Sequence, residues 1–137
     1  MADLDLASGR LRWLVSGHPP PLLLRNGRVV KTLVGEIAPP LGIGVGGAVA
    51  EEMLEPADRI LFFTDGVVEA RSAEGAFFGV DRLVEMITRA SASGTPAPET
   101  MRRLSHAILD YQEGALQDDA TMVVVEWQGP GSKLFDL

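Results

Sequence analysis

The chain has 137 residues, 46% hydrophobic and 23% charged, which suits one globular domain able to fold without covalent or metal staples. With no cysteine there is no disulfide scaffold, no thiolate zinc site and no cysteine nucleophile. A net charge of −7 with scattered arginines disfavours nucleic acid, and no apolar run approaches the roughly 20 residues that span a bilayer. Met1–Leu6 has no basic stretch ahead of an apolar one, so it is not read as a signal peptide, and a cytoplasmic location is expected.

In chain order, Ala2, Leu4 and Leu6 alternate with aspartates as in a strand. Ala7-Ser8-Gly9-Arg10 reads as a turn into a second strand, Leu11–Ser16. Gly17-His18-Pro19-Pro20-Pro21 ends it, because three consecutive prolines cannot donate to a ladder. Leu22–Arg25, Asn26-Gly27 and Arg28–Val34 form a predicted hairpin, since Asn-Gly tolerates the positive φ that a two-residue turn needs. Gly35 to Gly47 is a Gly/Pro-rich loop, followed by a weaker strand signal over Ala48–Leu54. Pro56-Ala57-Asp58 is a turn, with Asp58 taken as a turn residue. Arg59–Thr64 is almost wholly apolar and belongs at a sheet centre. From Asp65-Gly66 a loop is expected through Ser72–Gly75 to Phe77-Phe78, with the Phe62-Phe63 and Phe77-Phe78 pairs in the core.

Two helices follow. Val80, Leu83, Val84, Ile87 and Ala90 make one apolar stripe, and Met101, Leu104, Ile108 and Tyr111 make another on a helix over Glu99–Glu113. Ser91–Pro98 links them, Gly114 stops the second, and Ala120–Trp127 is the last strand. Strands, two helices and a closing strand give an α+β fold with antiparallel sheet. The expected organisation is a domain over residues 1–128 with a flexible tail at 129–137. A strand as early as residue 2 is expected to pair with upstream sequence, so the chain reads as N-terminally truncated.

Two places present acids at the ends of core strands. Thr64-Asp65-Gly66 delivers one carboxylate to a sheet rim, and Gln117-Asp118-Asp119-Ala120-Thr121 places two before the last strand. Each alone reads as a plain turn, loop or cap. If the two strands are neighbours, three carboxylates converge, and holding two about 4 Å apart costs on the order of 4 kcal/mol at an effective dielectric of 20. A hard divalent cation with oxygen ligands, Mg²⁺ or Mn²⁺, removes that cost. His18 is either a loop imidazole bonded to backbone or part of an accessory site. His106 is read as structural or solvent-facing, and Glu51, Glu52 and Glu55 as a solvated edge.

Five motifs occur in order: Ser16-Gly17-His18-Pro19-Pro20-Pro21-Leu22-Leu23, Pro40-Leu41-Gly42-Ile43, Leu61-Phe62-Phe63-Thr64-Asp65-Gly66-Val67-Val68-Glu69-Ala70-Arg71, Phe77-Phe78-Gly79 and Asp118-Asp119-Ala120-Thr121. As an ordered set over Leu4 to Trp127 they resemble the SpoIIE/RsbU-like phosphatases, a bacterial branch of the PPM superfamily. The resemblance implies an antiparallel β-sandwich flanked by helices (α-β-β-α). It also implies a dinuclear Mn²⁺ or Mg²⁺ centre and hydrolysis of phosphoserine or phosphothreonine without a covalent intermediate. Asp65 and Asp118 fall at metal-ligand positions, Asp119 and Gly66 beside them, and His18 where wider relatives carry an acid near an accessory metal. The implied substrate is a phosphorylated anti-sigma-factor antagonist.

The family's upstream Gly-Asp motif, whose carboxylate bridges the metals, has no counterpart: the chain contains no Gly-Asp dipeptide. The expectation is weak metal binding with little or no phosphatase activity in this chain, and a homodimer or strand exchange to bury an uncovered sheet face. The alternative is a non-catalytic phosphatase-like regulatory or interaction module.

Overall fold

The computed structural model describes residues 1–35, 49–91, 94–112 and 119–131. The Pro40-Leu41-Gly42-Ile43 motif, Gly114, Asp118 and the tail from 132 lie outside the described residues.

The chain forms β1 (Ala2–Leu4), β2 (Arg10–Trp13), β3 (Leu22–Arg25), β4 (Arg28–Thr32), β5 (Ala50–Met53), β6 (Arg59–Phe63), α1 (Asp65–Val68), α2 (Gly79–Ala90), α3 (Ala97–Tyr111) and β7 (Met122–Glu126). One antiparallel sheet has the order β1-β2-β5 and the other β4-β3-β6-β7. The predicted hairpin is present: Asn26 and Gly27 both take positive φ, 52° and 75°, between β3 and β4.

Period-2 alternation explains why β3 and β6 read as continuous apolar runs. Leu22, Leu24, Leu61 and Phe63 face a core completed by Leu83 and Ile87 of α2 and Leu104 and Ile108 of α3. Leu23 and Ile60 face the opposite way, into a second core with Leu11, Trp13, Leu54 and Trp127. The two inner strands of the four-stranded sheet, β3 and β6, are therefore buried on both sides, by the three-stranded sheet and by the helices. The sandwich-plus-helix layering expected from the sequence is what the chain adopts.

The differences from the sequence reading have local causes. A loop was expected after Asp65-Gly66, but Asp65–Val68 is a single helical turn that buries Val67 and ends with the Glu69 N–H on the Asp65 carbonyl, 2.9 Å. Four residues are too short to show a helical period. Helix α3 begins at Ala97, two residues early, because Pro98 suits the first turn, where its missing N–H costs nothing. Phe77 is 56% exposed rather than core, while its neighbour Phe78 is buried at 3%. Asp58 does close its turn, its N–H bonding the Glu55 carbonyl at 3.0 Å, but it is also buried. At 1% exposure its carboxylate accepts two bonds from Arg25, 2.9 and 2.7 Å, and one from the Glu55 N–H, 2.7 Å.

Strand β7 is an outer strand of its sheet, and its sandwich-facing Val123 and Val125 stay 50% and 36% exposed. The three-stranded sheet does not reach far enough to cover them.

Candidate functional site

Strands β6 and β7 pair antiparallel along their whole length, with Phe63 opposite Met122. The end of β6 and the approach to β7 consequently meet at one rim. Beyond the last pair, the Thr64 N–H donates to the Thr121 carbonyl at 3.1 Å, and the Thr121 N–H donates to Thr64 Oγ1 at 3.0 Å. Thr64 and Thr121 thus bond to each other across the sheet. This clasp fixes how Asp65 leaves one strand and how Asp119 enters the other.

Gly66 closes the arrangement. A Cβ at this position would lie 1.9 Å from the Asp119 carbonyl oxygen, so only glycine permits the two segments to touch. The room that a glycine leaves here is filled by the Asp119 backbone. The Asp65-Gly66 pairing is thus a contact requirement as well as a turn.

Asp65 opens α1 and is exposed, and its carboxylate has no ion-pair or hydrogen-bond partner among the described residues. Asp119 is also exposed. Asp118 lies outside the described residues, and among those described no group of three or more His, Asp or Glu is placed to hold a metal. Exposed carboxylate oxygens, such as those of Asp65 and Asp119 at this rim, are of the kind that suits a hard divalent cation. In number, the described donors fall short of a full coordination shell.

His18 is exposed in the bend that follows β2, and it lines a cleft of about 340 Å³ together with Thr64, Thr121, Trp13, Phe62 and Val123. It is therefore brought to the threonine clasp. His106 is exposed on α3 and takes no part in the rim.

The opposite end of β6 holds acids of another kind. Arg59 Nε donates to Glu126 at 2.9 Å, and its two terminal nitrogens reach Thr100 Oγ1 at 3.3 Å and the Thr95 carbonyl at 2.8 Å. With the Arg25–Asp58 pair this borders a cleft of about 430 Å³. Every carboxylate that is half-buried or deeper here has a guanidinium partner. The sequence reading missed this network, since nothing local relates residues 25, 58, 59 and 126.

The model for the Stage II sporulation protein E (SpoIIE) family matches residues 1–128. Among curated proteins the chain is similar to Protein IcfG of Synechocystis, 29% identical over 125 residues, covering 89% of this chain and 19% of that protein. Among solved structures it is similar to the RsbU and RsbW domains of Rv1364c from Mycobacterium tuberculosis. That match has 29% identity and a TM-score of 0.71, over 96% of this chain and 37% of the other. The phosphatase domain of SpoIIE from Bacillus subtilis, presoaked with Mn, matches at 20% identity and a TM-score of 0.69, over 97% of this chain and 56% of that one. The chain thus spans well under two thirds of the length of these relatives.

Proposed function

Because the chain belongs to the SpoIIE family of PPM-type protein phosphatase domains, we propose that it forms part of a metal-dependent phosphoserine/phosphothreonine protein phosphatase. Asp65 and Asp118 are the proposed ligands of Mn²⁺ or Mg²⁺, with Asp119, Gly66 and His18 supporting the site. The observation that carries this reading is the rim itself: Gly66 is packed on the Asp119 carbonyl while the Asp65 carboxylate stays exposed and has no partner among the described residues. A plain turn would need neither a glycine at the point where the Asp119 carbonyl comes closest nor an unshared acid beside it.

A divalent cation, when bound, supplies acidification of a coordinated water and charge neutralisation at phosphoryl oxygens. The chain's own residues do the positioning. The Thr64–Thr121 clasp sets the spacing of the two acidic segments, Gly66 lets them close, and Asp65 presents oxygen donors to the open side. With no Gly-Asp motif in the sequence, the bridging carboxylate of the family is missing, and this chain alone is proposed to bind metal weakly and to turn over little or no phosphoprotein. Similarity to a protein carrying RsbU and RsbW domains supports a sigma-factor pathway, with a phosphorylated anti-sigma-factor antagonist as substrate.

Calorimetric titration of Mn²⁺ into the chain, beside the Asp65→Asn/Asp118→Asn double variant, tests the site. Saturable binding that the variant loses is the expected result. Heats identical in the two proteins would remove the metal-site reading for this chain.

One observation favours a second reading, a non-catalytic interaction module. The outer strands β1, β4 and β5 carry Asp3, Arg28 with Lys31, and Glu51 with Glu52, whereas the only charge on β7 is Glu126, already bonded to Arg59. Charges on outer strands discourage pairing, so β7 is the least guarded edge among the described strands. Antiparallel pairing of β7 with a second copy sets Val123 against Val125 of its mate. A single monomer species by sedimentation at high protein concentration would exclude that homodimer.

A further inference from the structure

Seven cations of the described chain sit in salt bridges: Arg12, Arg25, Lys31, Arg59, Arg89, Arg102 and Arg103. Carboxylates outnumber cations in a chain of net charge −7, yet some arginines are held in place without one. Two such arginines share one corner. The Arg71 guanidinium lies 4.5 Å from the centroid of the Phe77 ring, and that of Arg82 lies 4.6 Å from the centroid of Tyr111. Neither has a carboxylate partner among the described residues, although Glu74 and Asp81 are close in sequence.

The corner is built rather than fortuitous. Arg71 and Phe77 face each other in an antiparallel bridge, and the Phe78 N–H donates to the Ala70 carbonyl at 2.7 Å. The Tyr111 hydroxyl donates to the carbonyls of Ala76 and Phe77, at 3.0 and 3.2 Å, and its ring meets Phe78 edge-on at 5.1 Å. These bonds explain why Phe77 is left 56% exposed: its face is the seat of a guanidinium, not part of the core. A guanidinium stacked through its face keeps its N–H edge free for a carboxylate or phosphate.

We propose that Arg71 and Arg82 form an anion-binding platform that selects phosphoprotein substrates with an acidic residue near the phosphorylated one. That the bound peptide is a substrate rests on the phosphatase reading above; the acidic-peptide binding itself does not. The platform lies close to the rim. Three helical steps from Asp65 and three more residues at full extension put the Cα atoms of Asp65 and Arg71 at most about 15 Å apart. An extended peptide advances about 3.3 Å per residue, so the acidic residue falls within about four positions of the phosphoserine.

Fluorescence anisotropy with the chain in EDTA provides the test, using a phosphoserine peptide with Asp at three and four positions on each side and a copy with Asn there. The Asp peptide is expected to bind about three- to tenfold more tightly, the range for one or two exposed charge-assisted bonds. Arg71→Gln and Arg82→Gln should each reduce the preference, and the double variant should abolish it, whereas Arg71→Lys retains part. Both arginines are exposed, so unchanged thermal melts are expected to confirm intact folding. Equal affinity for the two peptides, or a preference surviving in the double variant, overturns the platform. Asp65→Asn bears on the metal reading alone and should leave the peptide preference as it was.

Discussion

The two ends of strand β6 carry carboxylates in opposite circumstances. At the Arg59 end, Asp58 is 1% exposed and held by Arg25 with two bonds, and Glu126 is held by Arg59. At the Phe63 end, Asp65 is exposed and has no cation among the described residues. An acid buried beside a guanidinium has its charge already compensated and works as a fastener. An acid left uncompensated on a rim where a second acidic segment is forced close keeps its oxygens available. The same residue type, seven positions apart in sequence, is thus a buried fastener at one end and an exposed, uncompensated acid at the other.

The contrast between the two ends of β6 hangs most heavily on Asp58. Asp58→Ala leaves Arg25 without its main partner and orphans the Glu55 N–H, and a loss of about 3–5 kcal/mol is expected in urea unfolding at neutral pH. A loss below about 1 kcal/mol would mean that the pair is solvated in practice. A smaller effect is expected at Gly66→Ala, where the new methyl collides with the Asp119 carbonyl. Shifting that segment should cost about 1–3 kcal/mol and weaken Mn²⁺ binding in the same variant. Unchanged stability there would show that the approach to β7 is free to move. The smallest effect belongs to Asp65→Asn, which should stay within about 0.5 kcal/mol of the parent in stability while losing metal. A destabilisation rivalling that of Asp58→Ala would erase the distinction between the two ends.

Much of the frame was legible because it is written in local patterns. The Asn26-Gly27 turn, the apolar run at Arg59–Phe63 and the helical stripe through Leu83 and Ile87 each depend on neighbours within a few residues. The acidic rim was legible as two separate motifs whose value depended on β6 and β7 being adjacent, a condition met by the pairing of Phe63 with Met122. What stayed hidden was of longer range. Burial of Asp58 requires Arg25, 33 residues earlier. Exposure of Phe77 follows from Tyr111, whose hydroxyl bonds that loop from 34 residues away.

Residue order alone carries the fold class, the family and the positions of the acids, because spacing sets strand alternation, helix stripes and turn chemistry. The tertiary structure decided which acids are shared and which are free, because ion pairing and burial depend on what distant segments bring alongside. It also decided why residue 66 is glycine: the Asp119 carbonyl occupies the place of a side chain, a clash that appears only when β6 and β7 lie together.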